Sequence, residues 1–401
     1  MSKFQHSPGR VIVEDVFITK ANGSGKQDIT PITAEINIES SLMDVSTKVT
    51  VTISDGFAFL TEFQVESGDT IDMSIIWAEE PVKFNVTVLR VGPITNTESG
   101  RVYSLECVST LFFNSLKTKF SRSVSGKPSE IAYDIYKEFT EEKVRYWEET
   151  INTVKYVLPY QRPTQALQFL AVKGKSSVDS SICYFYQDSR LRYNFASLEF
   201  IVESQKKNDV QQYVYNATTL NLNTKNQARN ILSLTYNPIS DFAFHTNAMA
   251  NSSTLLSNDL TKKEYSVVTN NYWQDFSDGV HLNANPLHEE VEMDKTAQIK
   301  TKTYASSTQT DIEINTITDR SILNQSLTSS SHSIDINIHS NQVVEVGDVV
   351  EVLIPKPAPR NGEDDGVDPY WSGRYLVVAK REMLSNDEGT IALTLIKDSK
   401  K

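Results

Sequence analysis

The densest group of side chains that could do chemistry lies between residues 281 and 292. His281, His288, Glu289, Glu290 and Glu292 supply the imidazole and carboxylate groups that bind divalent metals. Their spacing departs from the H-E-x-x-H zinc motif, because Glu292 stands where the second histidine belongs. The sequence therefore favours a solvated acidic loop over a metal site.

A second acidic group could bind a hard cation through its oxygen atoms. Glu363, Asp364 and Asp365 follow one another between Gly362 and Gly366. A glycine-rich acidic surface loop explains this run with fewer assumptions, and we predict such a loop.

Gly23 to Lys26 is similar to part of a phosphate-binding loop, whose backbone amides cradle a nucleotide. Lys20 occupies the place of the first glycine, and Gln27 replaces the serine or threonine that would contact magnesium. We therefore predict a flexible turn between two strands. The sequence also lacks the G-x-S-x-G motif that presents the nucleophile of many hydrolases.

Aromatic and basic residues interleave between Tyr184 and Tyr193, a stretch that includes Arg190 and Arg192. Such a pattern can stack nucleic-acid bases, but this alternation is more typical of an ordinary hairpin core. Acidic residues are plentiful, yet nothing distinguishes a carboxylate pair for glycoside cleavage. We predict no catalytic, cofactor-binding or metal-binding residues, and a protein that is not an enzyme.

Composition excludes several classes of protein. The chain has 401 residues, which predicts more than one domain because single cores stop growing near ~250–300 residues. Its net charge of −12 argues against broad binding to nucleic-acid phosphates. No apolar run is long enough for a membrane helix, and the first residues show no secretory signal. Cys107 and Cys183 form no CxxC motif and predict either a reducing compartment or simple core thiols.

Alternating apolar and polar residues dominate the first hundred positions. Turn residues separate these runs, which predicts an antiparallel sheet with one wet face, curled into a small barrel. The runs are Ala34–Glu39, Lys48–Ser54, Thr70–Ile75, Phe84–Leu89 and Tyr103–Ser109.

After about residue 118 the spacing of apolar residues becomes helical. Helices are predicted to begin at Pro128 and Pro163, and Gly174 is placed to end the second one. Strands with a turn at Asp188–Arg190 should follow, which together predict a small α/β module. These strands are Ile182–Tyr186, Leu191–Phe195 and Leu198–Val202.

Strand patterns return from about residue 231, but a long polar region interrupts them. Residues 247–311 show little periodicity, so a meandering insert and an extended arm both stay open. The later strand signals are Asp311–Ile314, Ser333–Ile338, Val349–Ile354, Tyr375–Ala379 and Thr390–Ile396.

An internal repeat is the most informative pattern. Val65–Met73 aligns without a gap with Val344–Val352 as V-E-x-G-D-x-[IV]-[DE]-[MV], and a strand, a hairpin and a closing strand follow in both places. We therefore predict a mainly β protein with an α+β module, in which two related antiparallel β-barrels flank an inserted α/β domain. The predicted domains are a first barrel at 1–118, the module with its two helices at 119–230, and a second barrel at 231–401 that carries the polar insert at about 247–311.

The middle module carries a resemblance to a known family. A helix with Phe169-Leu170 precedes the runs Tyr184–Asp188 and Tyr193–Leu198, which read Y-F-Y-x-D and Y-N-F-x-S-L. This succession, with the layout of barrel, module and barrel, resembles the baseplate hub proteins of contractile-tailed bacteriophages, the T4-like tail hub family. The hub portion of type VI secretion spike proteins is similar in architecture. The motifs cover about residues 118–200, and the layout covers most of the chain.

The resemblance implies a structural virion protein rather than a catalyst. It implies a homotrimer whose six barrels form a pseudo-sixfold ring that joins the tail tube protein to the central spike protein and meets other baseplate proteins. The location would be the virion tail baseplate, after assembly in the host cytoplasm, and no cofactor or membrane span is expected. An acidic ring also suits a conduit through which DNA passes without sequence-specific binding.

Two other interpretations stay open. A hub component of a non-viral contractile injection system would share the same physics. A carbohydrate-binding or glycan-cleaving β-protein belongs to a different class, and the lack of a signal peptide and of a carboxylate pair counts against it.

Overall fold

The computed structural model describes most of the chain. The described residues are 9–77, 81–98, 100–178, 181–206, 210–215, 229–237, 242–247, 250–290, 299–304, 321–329, 332–340, 343–356, 366–385 and 388–401.

Strands dominate the described residues, and most of their pairings are antiparallel. Their bounds are β1 Ile12–Thr19, β2 Lys26–Asp28, β3 Thr33–Ser41, β4 Lys48–Asp55, β5 Thr70–Ile76, β6 Pro81–Val91, β7 Thr95–Thr97, β8 Gly100–Val108, β9 Phe120–Gly126, β10 Val144–Trp147, β11 Val154–Gln161, β12 Cys183–Gln187, β13 Tyr193–Ser197, β14 Gln211–Val214, β15 Ser233–Tyr236, β16 Ser252–Asp259, β17 Glu264–Asn271, β18 Asn285–Pro286, β19 Ile299–Tyr304, β20 Ser333–His339, β21 Val349–Leu353, β22 Gly373–Ser385, β23 Glu388–Ile396 and β24 Ser399–Lys400.

The helices are short and lie between the strands. Their bounds are α1 Phe59–Phe63, α2 Thr110–Lys117, α3 Pro128–Phe139, α4 Pro163–Lys173, α5 Leu198–Gln205, α6 Phe242–Asn247, α7 Tyr272–Asp275 and α8 Ile322–Ser329, with single 3-10 turns at Thr30–Ile32 and Phe276–Asp278.

One large sheet of fourteen strands connects the two ends of the chain. Its main path runs β15-β20-β23-β22-β3-β4-β8-β6-β5-β1-β2, and β7, β14 and β21 pair onto its sides. Alternate side chains of its longer strands, such as β3 and β4, point into apolar cores, as the period-2 pattern predicts. Val49, Val51 and Ile53 of β4 are fully buried in one core, whereas Ile334 and Ile336 of β20 lie in another.

The prediction of two separate barrels is not confirmed. Strand β3 pairs with β22 from Ser41 opposite Ala379 to Glu35 opposite Ser385, while its other edge pairs with β4. The backbone groups along the edge of β3 are therefore satisfied by a strand from the other end of the chain, and the sheet stays continuous. No closed barrel is found among the strands that the structure describes.

The two helices predicted between the strand-rich ends of the chain are confirmed. Helices α3 and α4 begin at Pro128 and Pro163, the two positions that the sequence indicated. A three-stranded sheet in the order β10-β13-β12 lies beside them, with β10 and β13 parallel and β12 and β13 antiparallel.

Gly174 ends α4 for a different reason from the predicted one. Its φ of −78° is ordinary extended backbone and needs no glycine. A Cβ at this position would lie 2.7 Å from Thr150 Cγ2, so the close approach of the neighbouring chain requires the small residue.

The predicted strand at Leu198–Val202 is wrong, because these residues begin helix α5. Ser197 caps this helix, since its hydroxyl accepts a hydrogen bond from the Phe200 amide at 3.2 Å. Glu199 lies in the first turn, where a carboxylate suits the positive end of the helix. The serine cap and the acidic first turn were the local signal for a helix.

The polar region after residue 247 is more regular than its sequence indicated. Strands β16 and β17 form a hairpin with eight paired positions, and β19 adds to β16 in parallel. The predicted strand at Asp311–Ile314 lies outside the described residues.

Candidate assembly interface

The two copies of the repeated sequence fold into the same turn. The Gly68 amide donates to the carbonyl of Val88 and the Val88 amide to that of Asp69, both at 2.8 Å. In the second copy the Gly347 amide donates to Val377 and the Val377 amide to Asp348, again at 2.8 Å. Both glycines have positive φ, +103° and +86°, where a side chain would be strained.

The aspartate of each turn accepts the same backbone hydrogen bond in both copies. Asp69 accepts a hydrogen bond from the Glu66 amide at 3.0 Å, and Asp348 accepts one from the Glu345 amide at 2.8 Å. Each aspartate also pairs with a cation, but Lys20 of the β1–β2 turn serves the first and Arg145 of the module serves the second. The turn is therefore repeated while its surroundings differ.

The strands around these turns repeat as well. The first repeat, β3, β4, β5, β6 and β8, has the antiparallel order β5-β6-β8-β4-β3. The second repeat, β15, β20, β21, β22 and β23, has the order β21-β22-β23-β20-β15. Each member occupies the same place in chain order and in the sheet, and the register shifts just after Val88 and just after Val377. The two repeats share one topology.

The pairing of β3 with β22, which we call the junction, joins the first repeat to the second. At its exposed face the Arg381 guanidinium lies 3.2 Å from the Glu39 carboxylate. At its buried face the Trp77 indole N–H donates a hydrogen bond to Glu382, which is only 2% exposed. The two sides of the junction thus differ in burial and in chemistry.

A buried ionic network stabilises the inner side of the junction. Lys380 Nζ lies 3.4 Å from Glu345 Oε1, 3.3 Å from Glu382 Oε2 and 3.0 Å from the Ser189 hydroxyl. Arg190, which is part of the same module turn, lies 3.2 Å from Glu345 Oε1. The network therefore ties the repeated turn, the junction strand and the α/β module together.

Burial and neighbouring charges set the ionisation of this network. Burial alone would lower the pKa of Lys380, but Glu345 and Glu382 raise it above its ordinary value. Burial alone would raise the pKa of Glu345, yet Lys380, Ser189 and Arg190 bring it below the ordinary value. For Glu382 burial prevails over Lys380, and its pKa is raised.

Each repeat also has a strand edge that corresponds to one side of the junction but forms no such pairing among the described residues. The second-repeat counterpart of β3 is β15, and among the described residues only β20 pairs along it as a strand. The first-repeat counterpart of the β22 edge is the segment from Arg90 to Asn96, whose side away from β8 has no strand partner in the described ranges. Within the described part of the chain these two edges are complementary and lack a strand partner.

The register of the junction shows which residues of these edges correspond. Met383 lies opposite Asn37 at the junction. Thr95 pairs with β8 as Met383 pairs with β23, so Thr95 is the counterpart of Met383 in the first repeat. Thr235 pairs with β20 as Asn37 pairs with β4, so Thr235 is the counterpart of Asn37 in the second repeat. One step further along, Ile94 would face Tyr236, and these side chains are 51% and 43% exposed. Two exposed apolar residues therefore occupy matching places on the two edges.

His281, the first member of the predicted acidic loop, lies apart from the other members. Its Nδ1 lies 2.8 Å from Asp398 Oδ2, and its ring stacks on Phe276 with centroids 3.8 Å apart. Burial would raise the pKa of Asp398, but hydrogen bonds from His281, Ser399 and the Leu282 amide lower it. The carboxylate holds the imidazole in one orientation at the edge of a cleft of about 440 Å³.

The remaining members do not gather around a common point. His288 lies against the His332 ring, with centroids 5.1 Å apart, whereas Glu289 and Glu290 are exposed. Glu292 lies outside the described residues. Within the described ranges no group of three or more His, Cys, Asp or Glu side chains is arranged to hold a metal ion.

The other sequence-predicted candidates are placed as follows. Gly23 and Gly25 lie in the turn between β1 and β2, where their backbone bonds with Lys20 confirm the predicted turn. The run from Tyr184 to Tyr193 forms the β12–β13 hairpin, and Phe185, Tyr186 and Tyr193 are buried, which confirms the hairpin core. The acidic run at 363–365 lies outside the described residues. Cys107 and Cys183 are buried free thiols.

Sequence reasoning missed the buried network. Lys380 and Glu382 stand two residues apart on the inner face of β22, between apolar neighbours that are themselves buried. Two opposite charges at period-2 spacing in an otherwise apolar strand were the available signal, since a charge on a buried face needs a partner.

Comparisons with known proteins agree with this architecture. No protein-family model matches the sequence, and no curated protein matches it significantly. The solved structure of the tail protein from Neisseria meningitidis MC58 matches with a TM-score of 0.53 and 12% identity, covering 96% of this chain and 96% of that one. The chain has the tail-protein fold.

A second structure with the tail-protein fold supports this assignment. The 43 kDa tail protein of prophage MuSo2 from Shewanella oneidensis matches with a TM-score of 0.52 and 10% identity, covering 96% of this chain and 98% of that one. The resemblance to phage tail proteins is therefore confirmed at the level of the fold. None of the described helices has the length and apolar character to cross a membrane.

Proposed function

We propose that this chain is a structural protein of a phage tail, the central hub of a baseplate. It forms a homotrimeric ring of six related β units that joins the tail tube to the central spike and meets other baseplate proteins. In this proposal the chain acts in the virion tail, is assembled in the host cytoplasm and catalyses no reaction. We also propose that the chain divides into three units, at residues 1–118, 119–230 and 231–401.

The junction between the two repeats is the observation that carries this proposal. It is a heterologous contact, because β3 of one repeat meets β22 of the other. A heterologous contact joins two different surfaces, so a pair of repeats keeps one unused surface of each kind. If neighbouring chains join through these surfaces, they form a ring when the rotation between them closes. The outer edges of the segment Arg90–Asn96 and of strand β15 are those two unused halves. The resemblance to hub proteins supplies the number of units, six from three chains.

The exposed apolar side chains on the two free edges support the same contact. Ile94 and Tyr236 would pair across strands of neighbouring chains, and cross-strand aromatic and aliphatic pairs stabilise antiparallel sheets. Pairing would also remove two unpaired strand edges, which are otherwise templates for aggregation.

The net charge of −12 supports a role as a conduit. A surface with excess negative charge repels nucleic-acid phosphates, so DNA would pass through the ring without being held.

Mass photometry of the purified chain, alone and with its spike protein, tests this proposal. We expect a species of three times the 45.2 kDa chain mass in at least one condition. Tyr236→Pro on β15 should give monomers, because the amide of this residue points away from β20 and proline removes that donor from the proposed contact. Lys26→Pro on β2, at the other end of the sheet, removes an amide that likewise points away from its partner strand, and this matched control should leave the trimer intact. A wild-type chain that stays monomeric in both conditions would overturn the hub proposal.

A further inference from the structure

A shallow groove on the surface of the α/β module has an aromatic floor and an acidic rim. Its volume is about 490 Å³, and it lies between helix α3 and the end of strand β10. The lining residues are Ser129, Glu130, Tyr133, Asp134, Trp147 and Glu149.

The aromatic floor is held in place by contacts on its inner side. Trp147 stacks on the buried Phe195 ring with centroids 5.1 Å apart, and its indole N–H donates to the Ser129 carbonyl at 3.0 Å. Tyr133 meets Trp147 edge to face at 5.2 Å and is 40% exposed. The indole is thereby fixed before any ligand arrives, which lowers the entropy that binding costs.

The acidic rim is only partly neutralised within the chain. Glu149 is hydrogen-bonded to Lys127. Glu130 and Asp134 are exposed and form no ion pair among the described residues, although they stand four residues apart on α3. Like charges at this spacing destabilise a helix, so a cation bound between them would relieve that repulsion.

We propose that this groove receives an arginine side chain from a partner protein. A guanidinium can stack its flat face on an aromatic ring while its N–H groups donate to carboxylates, a combination that this groove offers. Lys137 Nζ lies 5.5 Å from the Tyr133 ring centroid, so this ring already takes part in a cation–π contact within the chain. A neutral sugar could also stack on the rings, but it would add no positive charge beside Asp134 and Glu130, of which only Glu130 has an electrostatic interaction with Lys127.

The groove is independent of the proposed ring. It is formed by residues 129–149 of a single chain and involves neither β15 nor the segment Arg90–Asn96. A monomeric protein could therefore still bind arginine here, and a trimer could fail to do so.

NMR titration of the full chain with the peptide acetyl-Gly-Arg-Gly-amide tests the proposal. The probe signal is the indole N–H of Trp147, assigned by its loss in Trp147→Phe. We expect a saturable shift of this signal, and binding weaker by about tenfold in the double variant Glu130→Gln/Asp134→Asn. Glu141→Gln, which changes an exposed carboxylate outside the groove, should bind like the wild type.

Two further ligands separate charge recognition from stacking. The same peptide with neutral citrulline in place of arginine has almost the same shape and should not shift the signal. Equal binding of the citrulline peptide would overturn the proposal, and so would an unchanged affinity in the double variant. A shift with chito-oligosaccharides but not with the arginine peptide would identify a sugar site and would likewise overturn it.

Discussion

Lys380 and Glu345 form a buried ion pair that joins the junction strand to the repeated turn, with Nζ 3.4 Å from Oε1. The two side chains are 4% and 3% exposed, although 35 positions separate them in sequence. Glu345 precedes the turn glycine of the second repeat, and Lys380 lies on the strand that meets the first repeat. The pair thus holds the repeated turn to the place where the repeats meet.

Lys380→Met should destabilise the protein strongly. The change removes the cation and leaves Glu345 and Glu382 buried without its charge, and breaking a buried pair in this way costs about 3–5 kcal/mol. Urea unfolding followed by circular dichroism measures the effect. Lys48→Met, which breaks the exposed pair with Asp44, is the control and should change stability by less than about 1 kcal/mol. Equal effects of the two changes would contradict the role of the network.

Gly347→Ala should cost more stability than Gly68→Ala, although both glycines occupy the same turn. Both changes place a side chain at positive φ, which costs of order 1 kcal/mol. At Gly347 the new Cβ would also lie 2.4 Å from the Tyr186 hydroxyl, whereas at Gly68 the nearest atom is 3.4 Å away on Phe113. Overpacking of that kind adds about 1–3 kcal/mol, which thermal unfolding of the two variants can resolve. An equal loss of stability in the two variants would contradict this prediction, because it would mean that the module relaxes around Tyr186.

The strand pattern of the sequence predicted much of the fold because each run has one buried face. All five alternating runs lie in strands except for Ser109, which caps α2, and both helix starts at Pro128 and Pro163 are confirmed. The continuous sheet could not be predicted, because the pairing of β3 with β22 depends on backbone groups that any residue carries. The hairpin β16–β17 was missed since all of β17 is exposed or half-buried and therefore shows no period.

Acid should destabilise the protein through His332. Burial, then His288, His245 and Lys397, lower the pKa of His332 from 6.5 to about 3. The unfolded chain therefore takes up this proton first, and the stability that the neutral histidine contributes is lost as the pH falls from about 6.5 toward 3. His332→Asn, which tolerates the local φ of +49°, should flatten the dependence of the unfolding free energy on pH in this window. An unchanged slope would contradict the assignment.

Ionisation of Glu142 should destabilise the protein as the pH rises, whereas the effect of His332 appears as the pH falls. Burial raises the pKa of its carboxyl from 4.5 to about 7, against the opposing hydrogen bonds from the Thr110 and Leu111 amides. The folded protein holds this proton longer than the unfolded chain, so its contribution is fully present below about pH 4.5 and is lost as the pH rises through about 7. Glu142→Gln keeps the acceptor for Thr110 and should gain stability over wild type between pH 5 and pH 8. A constant difference between the two proteins across that range would contradict the shift.

The candidate interface was only partly visible in the sequence. The V-E-x-G-D repeat indicated that two related units exist, and its turns form the same hydrogen bonds in both copies. The repeat says nothing about which edges meet, because the register between β3 and β22 comes from tertiary packing. The exposure of Ile94 and Tyr236, which marks the two free edges, is likewise a property of the folded chain.

A disulfide cross-link across the proposed chain-to-chain contact tests the central claim most directly. Because the junction register places Thr95 opposite Thr235, cysteines at these two positions should lie within the ~4.5 Å Cβ separation that a disulfide allows. The double variant Thr95→Cys/Thr235→Cys should run as a covalent trimer on non-reducing gels after oxidation, while each single variant stays a monomer. Cross-linking absent from a double variant that sediments as a trimer, or products that grow into a ladder beyond three chains, would contradict the closed ring.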